Sequence, residues 1–375
     1  MQFAENRRYA ELFEPWGRIE MPPHPPKANG KIRLGYLSPD FFNHTSHSLN
    51  EPILHYHDKS QFELYLYYTN NKFDEHTEII KKYADVWRTI EAQETDQLVE
   101  QIRKDKIDIL IDLAGHTSRH SLPVFAKRAA PIQMSWYGYM DSTGLANMDY
   151  RITDAWRAPL DTQIPYTEKL LRLPSSYTFL PAPGSPPPSL SLPMEKNGYI
   201  TFGSLNNSLK VTPEVLALWT DLLRAEPRSK LSLTESITDS KYNEYISTYF
   251  KNQAIAANRI VIRKRVPIPA FLREIDQIDV ALDTFPYTGG ITTYQALAMG
   301  VPTITLEGMS EYERNCAAIL REATLDQCVA QTKEKYLEKV LTLPYQATVL
   351  KKIRKELPGA MRKKAPSCKR ELGTP

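Results

Sequence analysis

Short apolar segments alternate with stretches of helical periodicity along most of the chain. Apolar runs that predict buried strands lie at residues 31–37, 62–69, 107–115, 132–137 and 150–153, and again at 199–205, 230–234, 259–266, 280–282 and 303–306. Segments between them, among them 76–87, 95–104, 241–256 and 268–275, have the spacing of amphipathic helices. Uninterrupted apolar runs are typical of strands buried on both faces of a parallel sheet. The alternation therefore predicts an α/β protein in which helices cover both faces of parallel sheets.

A proline-rich segment divides this alternation into two series. Residues 181–193 read PAPGSPPPSLSLP, a composition that cannot hold a regular element and predicts a linker over 181–197. The 375 residues are enough for two separate cores. We therefore predict five consecutive parts, which are a leader (1–30), a first α/β domain (31–180), the linker, a second α/β domain (198–345) and a helical tail (346–375).

Five polar loops follow predicted strands, and they indicate where a ligand binds. The loops are residues 38–47, 115–120, 138–144, 206–210 and 284–293. Ligands of open parallel sheets bind outside the carboxyl ends of the strands. We therefore expect the functional site in a cleft between the two domains, with these loops on both of its sides.

The loop 284–293 has the features of an anion site. Gly289 and Gly290 form a tight turn, Thr292 and Thr293 are placed to cap the helix that follows, and Gly300 ends that helix. Free backbone N–H groups and the helix dipole at such an N-terminus attract phosphate. Glycine and threonine are also common in ordinary strand-to-helix crossovers, and the segment taken alone slightly favours that structural interpretation.

The composition describes a globular protein without a strongly charged partner. Hydrophobic residues make up 42% and charged residues 24% of the chain, and the formal charge is +3. So small a charge gives no reason to expect nucleic acid or an anionic membrane as the main partner, and the basic C-terminal tail fits the solvated face of terminal helices. Three cysteines without metal-ligand spacing, together with the lack of a signal peptide or an apolar segment of membrane length, predict the cytoplasm.

The distribution of chemically active residues narrows the possible mechanisms. All eight histidines precede residue 121, so a histidine base has to come from the first domain, where His44 and His116 lie in loops at strand ends. Any single histidine is nevertheless more often structural than catalytic. The chain has no Asp-x-Asp pair to hold Mg²⁺ or Mn²⁺ against a diphosphate, so a bound diphosphate has to be neutralised by Lys, Arg and backbone N–H groups. Lys210 suits this role, but the residues alone fit an exposed lysine before a helix equally well.

Other nucleotide-binding and hydrolytic motifs are not found. The first βα turn lacks the G-x-G-x-x-G pattern of dinucleotide sites, and there is no P-loop. The segments around Gly115 and Gly138 carry no nucleophile elbow. Dehydrogenase and serine-hydrolase chemistry are therefore disfavoured.

Four ordered segments carry a resemblance to a known family. They are GYLSPDFFNHTSH (35–47), APIQMSWYGYMDSTGLANMDYRITD (130–154), FGSLNNSLKVTPEVLALW (202–219) and DVALDTFPYTGGITTYQALAMGVPTITL (279–306). Over most of its length the chain resembles the catalytic region of the O-linked N-acetylglucosamine transferase family, the SPINDLY-like and bacterial family-41 glycosyltransferases. The resemblance implies the GT-B fold, with two Rossmann-like domains facing across a cleft. It also implies metal-independent, inverting transfer of a sugar from a nucleotide diphosphate to a protein side chain.

The resemblance implies roles for residues that match the family's motifs. His44 matches a histidine at the mouth of the first domain that has been proposed as a base, and Lys210 matches the lysine that contacts the donor diphosphate and assists the leaving group. The positions assigned to substrate binding, by the resemblance or by their place in a strand-end loop, are Asn207, Gly289, Gly290, Thr292, Thr293, Gln295, Arg314, His116 and Thr117.

Some positions depart from the animal members of the family. Gly290, Ile291 and Thr292 stand where those members have His-Thr-Thr, and Gln295 stands where they have the acid that binds the ribose. Ile268 and Phe271 replace the lysine and histidine that flank the uracil in those members. The resemblance therefore implies the class of donor more firmly than its identity.

From the resemblance we expect a bacterial, cytoplasmic enzyme that moves N-acetylglucosamine or a hexose from a UDP-sugar to a protein, with Ser or Thr as the acceptor and with no metal or cofactor. The tetratricopeptide array that presents acceptors in many relatives is not found in this sequence, so we expect a partner protein to supply acceptor recognition. Two alternatives remain open. One is a GT-B nucleotide-sugar epimerase, which the lack of histidines after residue 120 disfavours. The other is a catalytically weak sugar-nucleotide-binding subunit of a glycosyltransferase complex, which the substituted turn residues allow.

Overall fold

The computed structural model describes residues 2–14, 17–27, 30–90, 94–177, 179, 181, 185–236 and 241–371. Contacts divide the chain into two compact units. Unit 1 comprises Met1–Leu180 and Ser367–Pro375, and unit 2 comprises Pro181–Pro366. Each unit contains a sheet of parallel strands, so the α/β class expected from the sequence pattern is confirmed.

Unit 1 is a seven-stranded parallel sheet with helices. Its strands are β1 (Ile32–Ser38), β2 (Phe62–Tyr68), β3 (Val86–Thr89), β4 (Ile109–Asp112), β5 (Ile132–Ser135), β6 (Tyr150–Asp154) and β7 (Lys169–Leu173). Its helices are α1 (Gln2–Glu11), α2 (His47–His55), α3 (Glu75–Lys81), α4 (Thr95–Lys104) and α5 (Leu122–Ala126). The strand order is β3-β2-β1-β4-β5-β6-β7. The order reverses between β1 and β4, so the loops after these two strands flank a topological switch point.

Unit 2 is a six-stranded parallel sheet of the same design. Its strands are β8 (Thr201–Ser204), β9 (Lys230–Thr234), β10 (Ile260–Arg263), β11 (Val280–Leu282), β12 (Thr303–Leu306) and β13 (Val329–Ala330). The helices that follow α5 in the chain are α6 (Pro193–Asn197), α7 (Pro213–Ala225), α8 (Tyr242–Asn252), α9 (Ile268–Ile275), α10 (Ile291–Ala298), α11 (Glu311–Glu322), α12 (Lys333–Thr342) and α13 (Ala347–Glu371). The strand order is β10-β9-β8-β11-β12-β13, so the switch point lies between β8 and β11.

Each unit has its own apolar core between sheet and helices. In unit 1, α4 buries Leu98 and Ile102, four residues apart on one helix face, against the sheet. In unit 2, Leu272 and Ile275 of α9 pack with Val301 and the residues around it. Within the described residues, no helix combines the length and the apolar character needed to cross a membrane.

The predicted helix over residues 76–87 is wrong in its second half. Helix α3 ends at Lys81, and Val86–Thr89 forms the edge strand β3. The Trp87 ring packs 5.5 Å from the Tyr68 ring of β2, and the Asp85 carboxylate accepts the Leu64 N–H at 2.7 Å. These contacts with the neighbouring strand outweigh the local helical periodicity.

Two further strands were not predicted from the sequence. Strand β7 lies at the edge of its sheet and is partly exposed along its length, so it lacks the uninterrupted apolar run of a central strand. Strand β13 has only two residues. The ten strands that the apolar runs predicted are all confirmed, with bounds that differ by a few residues.

The first residues of the chain pack closely into unit 1. The buried Asn6 of α1 donates its side-chain amide to the Ser142 carbonyl at 2.8 Å, and the Glu14 carboxylate accepts the Asn147 N–H at 2.8 Å. Gly144 has a φ of +77°, and a Cβ there would lie 2.5 Å from the Asn6 backbone. Residues 138–147 and the start of the chain therefore form one packed region.

The segment predicted as a linker is not entirely irregular. Its last five residues, Pro193–Asn197, form the short helix α6, which Gly198 ends with a φ of +73°. Proline at the first helical position lacks only an N–H that would have no helical partner anyway, so it starts a helix readily. Residues 182–184 of the linker lie outside the described residues.

Candidate functional site

The switch point of unit 2 brings two loops together. One follows β8 and contains the 3-10 turn Ser208–Lys210, and the other follows β11 and leads into α10. The Lys210 ammonium donates to the Thr288 carbonyl at 2.8 Å and lies 4.4 Å from the centre of the Tyr287 ring. Thr212, which caps α7, also donates its hydroxyl to the Phe285 carbonyl at 3.3 Å. Lys210 and the predicted anion site in the loop 284–293, which we name the anion turn, thus belong together.

Burial changes the protonation of Lys210. Removal of the ammonium from water lowers the pKa of Lys210 to about 8, although the negative charge of Asp283 and the Cys316 thiol oppose this shift. An ammonium of this pKa carries its charge at neutral pH and is close to losing it. The ammonium is held by a neutral carbonyl, and an anionic ligand would stabilise its charge.

The anion turn is fixed from several sides. The Asp283 carboxylate accepts the Gly289 N–H at 2.7 Å, and the Thr288 hydroxyl donates to the Tyr312 carbonyl at 2.7 Å. Asn315 donates its side-chain amide to the Gly289 carbonyl at 3.0 Å. The backbone of the turn is therefore held before any ligand arrives.

The expected roles of the two threonines as helix caps are wrong. Gly290 is the residue that precedes α10, and no side chain caps the helix. Thr292 and Thr293 lie inside the first turn, where Thr292 donates its hydroxyl to Asn206 and Thr293 donates to the Cys316 sulfur at 3.5 Å. A helix leaves its first four N–H groups without intrahelical partners, so an uncapped N-terminus at this turn is suited to an anion. The Gly289 N–H does not contribute, because it is donated to Asp283.

Asn206 and Asn207 are neighbours in the chain but differ in burial. Asn207, the predicted ligand, is exposed, and its side chain accepts the Leu209 N–H at 3.1 Å. Asn206 is buried and donates to Asp283 at 3.2 Å and to Thr284 at 3.4 Å. The signal for Asn206 in the sequence is its place two residues after β8, and the signal for Asp283 is a carboxylate directly after an apolar run.

A pocket opens beside α10. Asn206, Thr292, Thr293 and Thr303 provide its polar lining, and most of the remaining wall is apolar. Gln295, also on α10, is 8% exposed. The pocket therefore places amide and hydroxyl groups next to the anion turn.

Arg314 lies on α11. Its guanidinium lies 2.8 Å from a Glu307 oxygen and donates to the Gly308 carbonyl at 3.3 Å. Glu307 also accepts from Arg321. These contacts of Arg314 stabilise the loop after β12.

His44 of unit 1 lies in the loop between β1 and α2. Its Nδ1 is 2.9 Å from the Ser46 hydroxyl and 3.6 Å from an Asp40 carboxylate oxygen, and 39% of its side chain is exposed. Burial raises the pKa of Asp40, and the neighbouring His44 opposes that shift. The Ser46 hydroxyl is within hydrogen-bond distance of Nδ1, so Nε2 is the ring nitrogen left for a substrate.

His116 and Thr117 follow β4, but their polar atoms are used within unit 1. His116 Nε2 is 2.8 Å from the Thr143 carbonyl, and the Thr117 hydroxyl donates to the Ala114 carbonyl at 2.8 Å. Burial lowers the pKa of His116, so its ring is neutral at physiological pH. The His116 ring also packs 5.0 Å from the Tyr139 ring. His116 therefore contacts the loop 138–144, whereas Thr117 closes the turn that follows β4.

The described residues offer no cluster of metal ligands. In the part of the chain that the structure describes, no three His, Cys, Asp or Glu residues are grouped so that they could hold a metal ion. The buried Cys316 and Cys328 are free thiols. The positive charge at the turn comes from the Lys210 ammonium and from the partial charge at the N-terminus of α10.

Comparison with known proteins identifies relatives along nearly the whole chain. The family model for glycosyl transferase family 41 matches residues 18–180 and 191–368. A rice protein described as a probable UDP-N-acetylglucosamine–peptide N-acetylglucosaminyltransferase SPINDLY is 35% identical over 372 residues, which cover 96% of this chain and 39% of the rice protein. The Arabidopsis thaliana protein of the same description is 34% identical over 362 residues, which cover 92% of this chain and 38% of that protein. The chain thus spans about two fifths of the length of these relatives.

A solved structure matches the fold of the chain. A point mutant of the Thermobaculum terrenum O-GlcNAc transferase aligns with a TM-score of 0.92 and 31% sequence identity, covering 99% of this chain and 71% of that one. A glycosyltransferase from Rickettsia africae aligns with a TM-score of 0.53 at 11% identity, which indicates a shared fold alone. The expected fold class, two Rossmann-like domains of the GT-B type, is confirmed.

Proposed function

Because this chain belongs to glycosyl transferase family 41, we propose that it transfers N-acetylglucosamine or a hexose from a UDP-sugar to a Ser or Thr side chain of a protein. The observation that carries the proposal is the Lys210 ammonium, held at the Thr288 carbonyl beside the uncapped N-terminus of α10. The relatives in rice and Arabidopsis are described as probable UDP-N-acetylglucosamine–peptide transferases, which supports the choice of donor and acceptor.

The donor diphosphate would bind between Lys210 and the first turn of α10. Negative charge grows on the leaving diphosphate as the bond to the sugar breaks, so groups that are positive and already in place lower the barrier. Lys210 supplies a full charge, and the helix N-terminus supplies oriented N–H groups. With no Asp-x-Asp pair in the sequence, we propose that these groups balance the diphosphate without a metal ion or other cofactor.

The acceptor side would depend on His44. Asp40 and Ser46 occupy the Nδ1 side of the ring, which leaves Nε2 to accept the proton of an acceptor hydroxyl or to orient it. We propose Asp40 as the group that orients His44. Gly290, Thr292, Gln295 and Asn207 remain proposed contacts of the donor, as do Gly289 and Thr293 through the shape of the turn.

We propose that the protein is a bacterial enzyme that works in the cytoplasm. The buried free thiols Cys316 and Cys328 fit a reducing compartment, which supports the second part of this proposal. We also propose that a partner protein contributes to acceptor recognition. Co-purification of the tagged chain with an acceptor, dependent on a second protein, would test this step.

Release of UDP tests the main proposal. The chain is incubated with UDP-N-acetylglucosamine, UDP-glucose or UDP-galactose, with and without Ser/Thr peptides, and UDP is measured together with the mass of the peptide. We expect UDP release with a matching gain in peptide mass for one donor. Interconversion of the sugars without UDP release would favour an epimerase, and binding without turnover would favour a sugar-nucleotide-binding subunit.

Lys210→Ala tests the residue that carries the proposal. We expect transfer to fall by at least about a thousandfold while the circular dichroism spectrum is unchanged, because loss of a fully placed charge in the transition state removes several kcal/mol. Lys251→Ala, at an exposed lysine of α8, is the matched control and should keep full activity. Near-normal turnover by Lys210→Ala would overturn the assignment.

A further inference from the structure

Asp283 is a buried carboxylate at the start of the anion turn. It follows β11 directly and is 1% exposed. One carboxylate oxygen accepts the Gly289 N–H at 2.7 Å and the Asn206 amide at 3.2 Å, and the other accepts the Thr305 hydroxyl at 2.6 Å. Neither the sequence motifs nor the proposed mechanism gives this carboxylate a role.

One peptide bond connects Asp283 with Lys210. The N–H that Asp283 accepts and the carbonyl that accepts the Lys210 ammonium belong to the same peptide, between Thr288 and Gly289. This peptide does not precede a proline and is trans. In a trans peptide the N–H and the C=O point in opposite directions. The peptide therefore lies between a carboxylate on one side and an ammonium on the other.

This arrangement strengthens both hydrogen bonds. A carboxylate that accepts the N–H polarises the peptide and makes its carbonyl a better acceptor for the ammonium. Hydrogen bonds that involve an ionised group are also stronger than neutral ones. The position of Lys210 is thus fixed by Asp283 through the peptide, without a direct ion pair.

We propose that Asp283 is a positioning residue of the donor site, whose carboxylate holds the Thr288–Gly289 peptide and keeps the Lys210 ammonium in place and charged. This inference rests on the proposed function for its view of Lys210 as a donor contact. The inference goes beyond that function by assigning Asp283 a role that acts through the Thr288–Gly289 peptide.

The surrounding charges agree with this role. Burial raises the pKa of Asp283, while the Thr305 and Gly289 hydrogen bonds and the charge of Lys210 lower it. The other groups that face Asp283 are the Cys316 thiol and the Tyr336 hydroxyl, and burial raises the pKa of both. No histidine follows residue 120 in the sequence. Lys210 is therefore the group near the turn that we expect to titrate between pH 7 and 9.

The sign of the effect follows from the charges. Removing the negative charge of Asp283 destabilises the charged form of Lys210, so its pKa falls and less of it is protonated at pH 8 to 9. A diphosphate, in contrast, is repelled by Asp283. An uncharged residue at position 283 should therefore leave donor binding at pH 6.5 unchanged or slightly tighter, and weaken it above pH 8.

The first experiment measures the Lys210 ammonium directly in the ligand-free protein. The lysine side-chain carbons are labelled with ¹³C, and the Lys210 signal is assigned by its loss in Lys210→Arg. Asp283→Asn keeps an oxygen for the Gly289 N–H, so it removes the charge with little change in shape. We expect the midpoint of the Lys210 titration to fall by about one pH unit in Asp283→Asn. Thr305→Val, which keeps the charge, is the control and should leave the midpoint unchanged.

A measurement on the unmodified protein covers the case in which Asp283→Asn does not fold. The Gly289 amide lies in the peptide between the two charges, so its ¹H and ¹⁵N shifts should follow the same midpoint as Lys210. A Gly289 amide that ignores the Lys210 titration would overturn the proposal, as would an unchanged Lys210 midpoint in folded Asp283→Asn.

The second experiment separates this proposal from the proposed function. Affinity for UDP-N-acetylglucosamine is measured from pH 6.5 to 9 by calorimetry for the natural protein and for Asp283→Asn. We expect the affinities to agree within about threefold at pH 6.5 and to differ about tenfold at pH 9, which is the shift of about one unit expressed as binding. A purely structural role would weaken binding equally at every pH and would contradict the proposal. If the natural protein binds none of the UDP-sugars, the donor assignment is wrong while the titration still decides the role of Asp283.

Discussion

Gly289 leaves no room for a side chain in the anion turn. A Cβ at this position would lie 2.5 Å from the Thr293 hydroxyl and 3.0 Å from an Asp283 carboxylate oxygen, distances that require the turn or α10 to move. Backbone that closes around a buried carboxylate therefore needs glycine here, because no other residue lacks a Cβ.

Gly289→Ala should weaken donor binding more than it destabilises the fold. We expect at least a tenfold loss of affinity for UDP-N-acetylglucosamine, because Lys210 binds the carbonyl of the peptide that would shift. The free energy of unfolding should fall by about 1–3 kcal/mol, as is usual for overpacking. Calorimetry and urea denaturation measure the two quantities. Gly359→Ala, in α13 with nothing within 4 Å of the added Cβ, should affect neither adversely. Unchanged affinity in Gly289→Ala would show that the turn is not the donor contact.

The limits of sequence interpretation are clearest for single side chains. The residues alone leave the role of Lys210 open, because a lysine in a loop after a strand fits an anion ligand and an exposed side chain equally well, and its contact with the Thr288 carbonyl is visible only in the fold. Asn206 and Asn207 are neighbours of the same type, and which of them turns inward depends on the 3-10 turn that begins at Ser208. A pattern of residue types does not contain that backbone rotation. Arg314 shows the same limit, since its pairing with Glu307 is a tertiary contact.

At the scale of elements, α1 has the least expected part in the fold. The sequence suggests a separate leader, yet Asn6 and Tyr9 of α1 contact the loops that follow β4 and β5. The Tyr9 hydroxyl is 2.9 Å from His120 Nε2, and its ring packs 5.2 Å from the His116 ring. A short polar helix has little signal in its own sequence, because its partners lie more than one hundred residues away.

Asn6→Ala should therefore destabilise unit 1. The substitution leaves the Ser142 carbonyl, buried in the loop, without its donor, and a buried acceptor that loses its partner costs about 1–3 kcal/mol. Urea denaturation monitored by tryptophan fluorescence measures the loss. Glu5→Ala, which removes only an exposed contact with Arg8 on the same helix, should change stability by no more than about 0.5 kcal/mol. Equal stability of Asn6→Ala and the natural protein would mean that α1 is not an integral element.

Elements with strong patterns behave differently. Central strands such as β4 and β11 are predictable, because burial on both faces demands an apolar run that few other structures need. Edge strands are not, because one side faces solvent and their composition overlaps with that of helices and loops. Strand β3 is the clearest case, since its Trp87 packs on β2 from within a segment of helical periodicity.

At the scale of the whole molecule, the two units carry different chemistry. All eight histidines precede residue 121 and belong to unit 1, whereas Lys210 and the turn around Gly289 belong to unit 2. The two-unit organisation is visible in the sequence, because the repeated strand-helix alternation is interrupted by proline-rich residues. The order of residues along the chain also shows that the histidines belong to the first unit and Lys210 to the second.

This division predicts that donor binding and transfer depend on different units. A nucleotide sugar has no phosphate proton that titrates near neutrality, and Lys210, whose pKa burial lowers to about 8, stays charged as the pH falls from 7.5 to 6. Affinity for UDP-N-acetylglucosamine should therefore change by less than about threefold over this range. His44→Gln should keep this affinity within about threefold and slow transfer by about a hundredfold or more, because it removes the proposed general base but no group of unit 2. His55→Gln, at an exposed histidine of α2, should change neither quantity. If His44→Gln lost donor affinity and transfer in equal measure, His44 would have no separate part in the chemical step.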